Sequence, residues 1–433
     1  MKLSKITLAC LMATSAMSLS TAANAEITQD FEFGGYVREG IFLSAENDYK
    51  SINGGGQKET LGRLGLEYDD DASVYISSIW SFDNGNEIRV TASIDDEASL
   101  GYGVEMKGIT PTGTLWAGGT DHGKDNYIFM TDFFYTDMEG TGIGIDGIEV
   151  GDLFVDVAYV ASNRDDDDYD LDDSSFSNND NLDNYMHTFN AAVTYNSIEV
   201  SLSGKVMVDN WDEDGNAYAE TGADISFIYT LDDFFGLGSG QGAIIAQAGI
   251  GLGAGSLLGT TINDYSAYAP GSLFQGEHTD YTWLGSEGDA TRLQSYVNEK
   301  DTSARLLIWG GYSFSNGISF YPSIQAQYND HYNNGEGQYN AGFGQYDYWV
   351  SAMGRTYFPV NDVMFVQTEV GMVYNNWAGS SYNQQKVTVA PTFILGTGTV
   401  TPEIRVFASY INNAWTVDDG SDVIVGVQTE VSW

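Results

Sequence analysis

One group of side chains has the composition of a metal site. The acidic run from Asp165 to Asp173 offers hard oxygen ligands of the kind that Ca²⁺ and Mg²⁺ prefer. It lacks the spacing of an EF-hand loop, with its central glycine and terminal glutamate. The sequence therefore favours a solvated acidic loop here over a site for Ca²⁺ or Mg²⁺, which stays the alternative.

A second group has the composition of a phosphate-binding loop, because glycines recur from Gly236 to Gly242. The residues that follow, Ala243 to Ala246, predict a strand and not a helix. Since phosphate-binding loops hold the phosphate at a helix N-terminus, this stretch predicts no phosphate site.

The histidines could supply a general base for hydrolysis. The chain has four histidines, His122, His187, His278 and His331. Their spacing matches no metal-binding motif. A Ser–His or Asp–His pair assembled in space would make the protein a hydrolase, which stays an alternative. The sequence favours a protein that is not an enzyme and needs no cofactor.

Strands must position all of these residues, because apolar and polar residues alternate through most of the chain. The pattern is clearest at the C-terminus, where the apolar face carries Val423, Val425, Val427, Val431 and Trp433, and the polar face Gln428, Glu430 and Ser432. It recurs in about sixteen to eighteen segments, joined alternately by short turns and long polar loops. Short turns are predicted at residues 196–197, 316–317 and 359–362. A chain of this kind that ends on an aromatic residue predicts an all-β fold, a transmembrane antiparallel β-barrel of the Gram-negative outer membrane.

The N-terminus has the layout of a secretory signal peptide. Lys2 and Lys5 precede an apolar stretch, and small residues end at Ala25. This predicts a signal peptide over residues 1–25 and a single β-barrel domain over residues 26–433. Cleavage would remove the only cysteine, Cys10, and two of the 17 basic residues, but none of the 61 acidic ones.

The acidic excess limits the partners of the mature chain. Repulsion of phosphates excludes nucleic acid, whereas a pore with this charge is expected to prefer cations. The mature chain also lacks any stretch near the roughly 18 apolar residues of a spanning helix. A closed barrel in outer-membrane lipid is then the architecture that satisfies its backbone.

One charged residue falls on the predicted lipid face. If Tyr36 and Arg38 face the lumen, Glu39 faces outward between Val37 and Ile41. A carboxylate at mid-bilayer is costly, so Glu39 indicates a buried subunit interface.

Aromatic residues cluster near strand ends, which predicts interfacial girdles. They include Phe133, Tyr135, Tyr312, Tyr321, Tyr357, Tyr374 and Trp433. Any of these rings that faces the lumen is instead expected to be a stacking platform.

Several segments resemble the maltoporin family of sugar-specific porins. Residues 33–41 (FGGYVREGI) resemble its first strand, and residues 114–118 (TLWAG) with 130–137 (MTDFFYTD) resemble the flanks of its inward-folded third loop. Residues 145–151 (IDGIEVG) continue that match. Residues 402–410 (PEIRVFASY) and 426–431 (GVQTEV) resemble its last two strands.

The resemblance implies an 18-stranded homotrimeric barrel with an inward-folded constriction loop. It also implies a passive channel for maltodextrin or another oligosaccharide, in which aromatic rings stack on sugars and charged groups bond their hydroxyls. Matched by position, the implied substrate-binding residues are Tyr36, Arg38, Arg63, Tyr75, Lys124, Asp132 and Phe134.

The chain departs from the family pattern at three aromatic positions. Phe134 stands where the family has the tyrosine of the constriction, so the ring is kept and a hydroxyl is lost. Ser432 replaces a stacking tryptophan, and Thr399 stands near the place of another. We therefore expect weaker binding of long glucans, and a general cation-preferring diffusion porin is the alternative function.

Overall fold

The computed structural model describes most of the predicted mature chain. The described residues are 27–51, 58–67, 70–95, 100–122, 127–131, 133–135, 138–163, 185–207, 219–254, 299–330, 346–377, 380–395, 400, 402–412 and 420–433. The predicted signal peptide and the acidic run from Asp165 to Asp173 fall outside these ranges.

Nearly all of the ordered elements are strands. They are β1 (Ile27–Ser44), β2 (Lys50–Ser51), β3 (Asp71–Phe82), β4 (Glu87–Asp95), β5 (Leu100–Lys107), β6 (Thr114–His122), β7 (Tyr127–Ile128), β8 (Phe133–Phe134), β9 (Met138–Val150), β10 (Leu153–Asn163), β11 (Tyr185–Tyr195), β12 (Ile198–Val206), β13 (Thr221–Leu231), β14 (Gln241–Gly251), β15 (Thr302–Ser313), β16 (Ser319–Asp330), β17 (Tyr346–Asn361), β18 (Met364–Trp377), β19 (Ser380–Ile394), β20 (Glu403–Asn412) and β21 (Ser421–Ser432). A short helix, α1 (Lys58–Leu61), follows β2.

Eighteen of the described strands join edge to edge into one closed antiparallel barrel. Each pairs with its neighbours along the chain, and β1 pairs with both β3 and β21, which closes the ring. The closing register runs from Tyr36 opposite Ser432 to Ser44 opposite Ile424. A closed ring leaves no unpaired edge, so every strand can hydrogen-bond in lipid. The predicted all-β barrel and its 18 strands are confirmed.

No helix within the described ranges is long and apolar enough to cross a membrane.

The strand faces follow the predicted alternation. Residues directly opposite each other in antiparallel strands point to the same face. Arg38 lies opposite Glu430, and both reach charged partners inside the barrel. Their neighbours Ile41 and Val427 point outward and are exposed. Glu39 is also exposed on the outward face, as predicted from the sequence.

The turns agree with the sequence at two of three predicted sites. Turns occupy residues 196–197 and 315–316, and Asn196 has a positive φ of 50°. The turn predicted at residues 359–362 lies later, at residues 362–363, because β17 continues through Asn361 with an irregular register after Pro359. This irregular register accommodates Pro359, whose nitrogen cannot donate a hydrogen bond to the neighbouring strand.

The glycine-rich stretch is a hairpin connection that leads into β14, as predicted. The two carboxylate oxygens of Asp233 accept hydrogen bonds from the backbone N–H groups of Gly236 (2.7 Å) and Gly238 (3.2 Å). The side chain of Asp233 thus stabilises the turn.

The girdle prediction is wrong for three aromatic residues. Tyr135 is buried inside the barrel, where its hydroxyl bonds Gln325. Tyr321 and Tyr357 also face inward, since they lie opposite the inward side chains of Arg355 and Gln367. The physical reason is that part of the chain folds into the lumen and provides an apolar surface there.

Candidate functional site

Two stretches of chain fold into the barrel. We call residues 58–67 the first inward segment, and residues 127–131 with 133–135 the second inward segment. The site is built from these segments and the strands that face them.

The second inward segment docks on an apolar part of the inner wall. The side chains in this contact are Ile128, Met130 and Tyr135 from the segment, and Ile228, Ile245, Leu307 and Met353 from β13, β14, β15 and β17. Polar bonds fix its far end, because Gln247 donates to the Tyr135 carbonyl (2.6 Å) and the Tyr135 hydroxyl donates to Gln325 (3.0 Å). The predicted inward-folded constriction loop is confirmed.

The first inward segment was not predicted. Its three leucines, Leu61, Leu64 and Leu66, are buried against the inner wall. The wall residues in this contact are Phe42, Trp349, Val373, Ala390, Phe407, Ile411 and Ile424. Apolar groups that would otherwise face water are buried in this contact, which favours docking. The segment covers the inner wall from β17 to β21.

A buried ion-pair group binds the backbone of the first inward segment. Glu369 accepts from the Leu64 N–H (3.0 Å) and pairs with Lys386 (2.6 Å) and Arg355 (2.6 Å). Lys386 also donates to the carbonyls of Leu64 (2.9 Å) and Gly62. Because buried carbonyls need donors, Lys386 replaces the water that this turn would lose on docking.

Arg63 joins the two inward segments. Its backbone N–H donates to the carbonyl of Met130 (2.8 Å), and its Nη1 donates to the hydroxyl of Tyr127 (2.7 Å). Its Nε lies 2.9 Å from Glu67, and its Nη2 donates to Glu430 (2.8 Å). A single guanidinium thus connects both segments to β21.

Arg63 belongs to a larger group that we call the lumen charge cluster: Arg38, Arg63, Arg405, Glu67, Glu403 and Glu430. Arg38 pairs with Glu67 (3.1 Å), and Arg405 pairs with Glu403 (2.9 Å) and with Glu430. Three guanidinium groups and three carboxylates therefore balance one another across β1, β20, β21 and the first inward segment.

Tyr36 lies against the lumen charge cluster. Its hydroxyl donates to Glu430 (2.8 Å) and accepts from Arg38 (3.1 Å), and the Arg38 guanidinium carbon lies 5.7 Å from the ring centroid. Donors, acceptors and an aromatic ring thus meet on the lumen side. These are the groups that can bond hydroxyls and stack on an apolar face.

The structure brings three of the predicted residues together and separates a fourth. Tyr36, Arg38 and Arg63 are in the lumen charge cluster or in contact with it. Tyr75 faces the lumen from β3, opposite Gly34, and its ring is exposed. The backbone of Phe134 pairs with Tyr127 in the second inward segment.

Lys124, Asp132 and the side chain of Phe134 are not among the described groups. Their predicted roles therefore stay predictions.

Sequence reasoning missed most of the charged partners. The missed residues are Glu67, Glu369, Lys386, Arg355, Arg405, Glu403 and Glu430. Each strand residue among them occupies an inward position of the alternation, and this signal could have identified them as lumen groups.

Among the described residues, His187 can be placed by its contacts, and it lies away from the lumen. His187 bonds the Tyr159 hydroxyl through Nδ1 (2.8 Å), and both lie on the outward face of β10 and β11. Within the described ranges, no group of three His, Cys, Asp or Glu side chains could hold a metal ion. No described contact favours the hydrolase alternative.

We expect Arg63→Ala to raise single-channel conductance, because the side-chain bonds that join both inward segments to β21 are lost and only the backbone bond to Met130 remains between the segments. Loss of one partner from buried ion pairs should also lower the free energy of unfolding by about 3 kcal/mol. Conductance in planar bilayers and urea unfolding in lipid vesicles measure the two effects. The control is Lys107→Ala, which removes an exposed pair and should cost about 1 kcal/mol or less. Unchanged conductance for Arg63→Ala would contradict the role given to this side chain.

Comparison with known proteins agrees with this architecture. The LamB porin family model matches residues 31–433. A maltoporin of Hahella chejuensis (strain KCTC 2396) is 26% identical over 430 residues, which cover 93% of this chain and 92% of that protein. Maltoporin 2 of Yersinia pestis (strain Pestoides F) is 25% identical over 471 residues, which cover 100% of both chains.

Among solved structures, OpdQ of Pseudomonas aeruginosa aligns with a TM-score of 0.46 and 8% identity over 94% of this chain and 97% of that one. The family match runs from residue 31 to the C-terminus and confirms the resemblance that the short matching segments indicated. The chain therefore belongs to the LamB porin family of Gram-negative outer-membrane channels.

Proposed function

We propose that the protein is a passive channel for neutral oligosaccharides, of which maltodextrins are the first candidates. One observation carries the proposal: an aromatic ring and six paired charged groups meet where two inward segments fill part of a closed barrel. The names of the relatives, maltoporins of other bacteria, agree with this class of substrate. No reaction and no cofactor are part of the proposal.

In this proposal the sugar is bound by two kinds of contact. The rings of Tyr36, Tyr75 and Phe134 stack on the apolar faces of pyranose units. Lys124 and Asp132 donate to or accept from the hydroxyls. Arg38 and Arg63 are buried in ion pairs, so each donates to a hydroxyl by exchanging one of its present bonds for it as the sugar moves. Many weak sites let a sugar enter readily and leave readily, which passage requires.

Current through single channels tests this function directly. Maltohexaose, added to one side of a planar bilayer, should reduce ion current through the purified protein in a concentration-dependent, saturable way. Tyr36→Ala should weaken this block about threefold to tenfold, the effect of one lost ring contact. Tyr410→Ala is the matched control, because Tyr410 is an exposed ring on the outward face.

Absence of block by every sugar tested would reject the sugar channel. It would favour the alternative, a general diffusion pore whose acidic excess makes it prefer cations.

We also propose that the channel is a homotrimer with Glu39 at a subunit interface. Glu39 is exposed on the outward face opposite Thr429, between apolar residues that suit lipid. A partner subunit would replace lipid there and offer hydrogen bonds to the carboxylate. We expect the purified protein to have the mass of three chains, and Glu39→Leu to lower the temperature at which it dissociates. A monomer under all mild detergent conditions would contradict the proposal.

A further inference from the structure

A group of mixed charge lies on the inner wall away from both inward segments. Arg89 on β4 donates from Nη1 to Glu32 on β1 (2.5 Å), and its Nε lies 3.9 Å from Glu105 on β5. We call Glu32, Arg89 and Glu105 the exit triad. Their side chains are 47%, 28% and 51% exposed, so water and solutes can reach them.

The register places the exit triad inside the barrel near one end. Glu32 is on the same face of β1 as Tyr36 and Arg38, and Arg89 lies directly opposite Glu105. The turn at residues 83–86 comes just before Glu87, the first residue of β4. In outer-membrane barrels the short turns face the periplasm. The exit triad is therefore at the periplasmic side of the lumen.

An exposed aromatic ring adjoins the exit triad. Tyr75 lies opposite Gly34, and a Cβ built on Gly34 would come within 2.4 Å of the Tyr75 hydroxyl oxygen. The ring therefore crosses directly over the glycine backbone, and it is 41% exposed. Ser77, opposite Glu32, is two residues further along β3, about 7 Å nearer the periplasm. Ring and charges thus follow one another along a single track.

Barrel stability does not require the exit triad. Exposed ion pairs contribute little to stability, in contrast to the buried pairs of the lumen charge cluster. An exposed guanidinium between two exposed carboxylates instead offers donors and acceptors to a passing solute, and Tyr75 offers an apolar face. Ser432, at a position where the family pattern has a stacking tryptophan, also faces the lumen, opposite Tyr36.

We propose that the exit triad and Tyr75 form a sugar-binding subsite at the periplasmic end of the channel. Arg89 donates to sugar hydroxyls, Glu32 and Glu105 accept from them, and the pyranose next to them stacks on Tyr75. This inference rests on the proposed sugar channel and assigns residues that extend its binding track.

The test compares two double variants by block of ion current with maltose and maltohexaose. Glu32→Gln with Arg89→Gln removes the closest pair of the exit triad. Glu87→Gln with Lys107→Gln is the matched control, because this exposed pair (3.2 Å) joins β4 and β5, two of the three strands that carry the exit triad, nearer the turn. Both double variants leave the net charge unchanged.

For the Glu32/Arg89 variant, we expect block by maltohexaose to weaken roughly tenfold, the effect of one lost hydrogen bond to a charged group. Block by maltose, which is too short to span from the lumen charge cluster to the exit triad, should stay within about twofold. The rate of entry of maltohexaose should fall when the sugar is added on the periplasmic side. The control variant should behave like the unaltered channel.

Equal weakening for both sugars, or for both double variants, would overturn the subsite, because a general change of field would then explain it. Unchanged maltohexaose block would overturn it as well, while the proposed function would stand. If no sugar blocks the unaltered channel, the proposed function fails and the subsite fails with it.

Discussion

Apolar side chains on the inner wall of a water-filled barrel must be covered, and this constraint determines the shape of the lumen. Ile245 and Leu307 are buried only because the second inward segment lies on them, and Phe407 and Ile424 are covered by the first. Burial of this surface favours docking by about 25 cal/mol per Å². The two segments occupy the side from β13 to β21. On the opposite side, inward residues of β3 and β5 such as Tyr75 and Glu105 are exposed, so we infer that the open path runs along it.

The main effect of the buried charged side chains is to fix the positions of the two inward segments. A buried ion pair is weak evidence of stability, because desolvation offsets most of the Coulomb attraction. Here the charges also bind backbone: Lys386 and Glu369 hold the turn of the first inward segment, and Arg63 holds both segments together. A narrowing fixed in this way presents Tyr36 and Arg38 at constant distances to a passing solute. Under the proposed function, such constancy is what gives hydroxyl recognition its selectivity.

The barrel was predictable from the sequence because lipid and water impose a period of two on every strand. The period of two did not predict the places where an inward segment, and not water, covers the inner face of a strand. Ala243 to Ala246 is apolar on both faces, which is the sign of a strand covered on both sides, yet the sequence alone does not say by what. Leu61 to Leu66 belongs to no strand, so its docking depends on contacts made across the closed ring. Family resemblance found Arg63, whereas its partner Met130 could not be identified without the fold.

The central claim is that the inward segments cover one half of the inner wall and leave the other half open to water. Single-cysteine accessibility tests it, and the sole natural cysteine, Cys10, falls in the predicted signal peptide. We predict fast modification of the Gly103→Cys variant by a water-soluble thiol reagent, with a fall in ion current, because a Cβ added at that position would meet only the backbone oxygen of Gly119, at 4.0 Å. We predict protection of the Leu307→Cys variant, since Leu307 is buried under the second inward segment. Equal rates at the two positions would contradict the account.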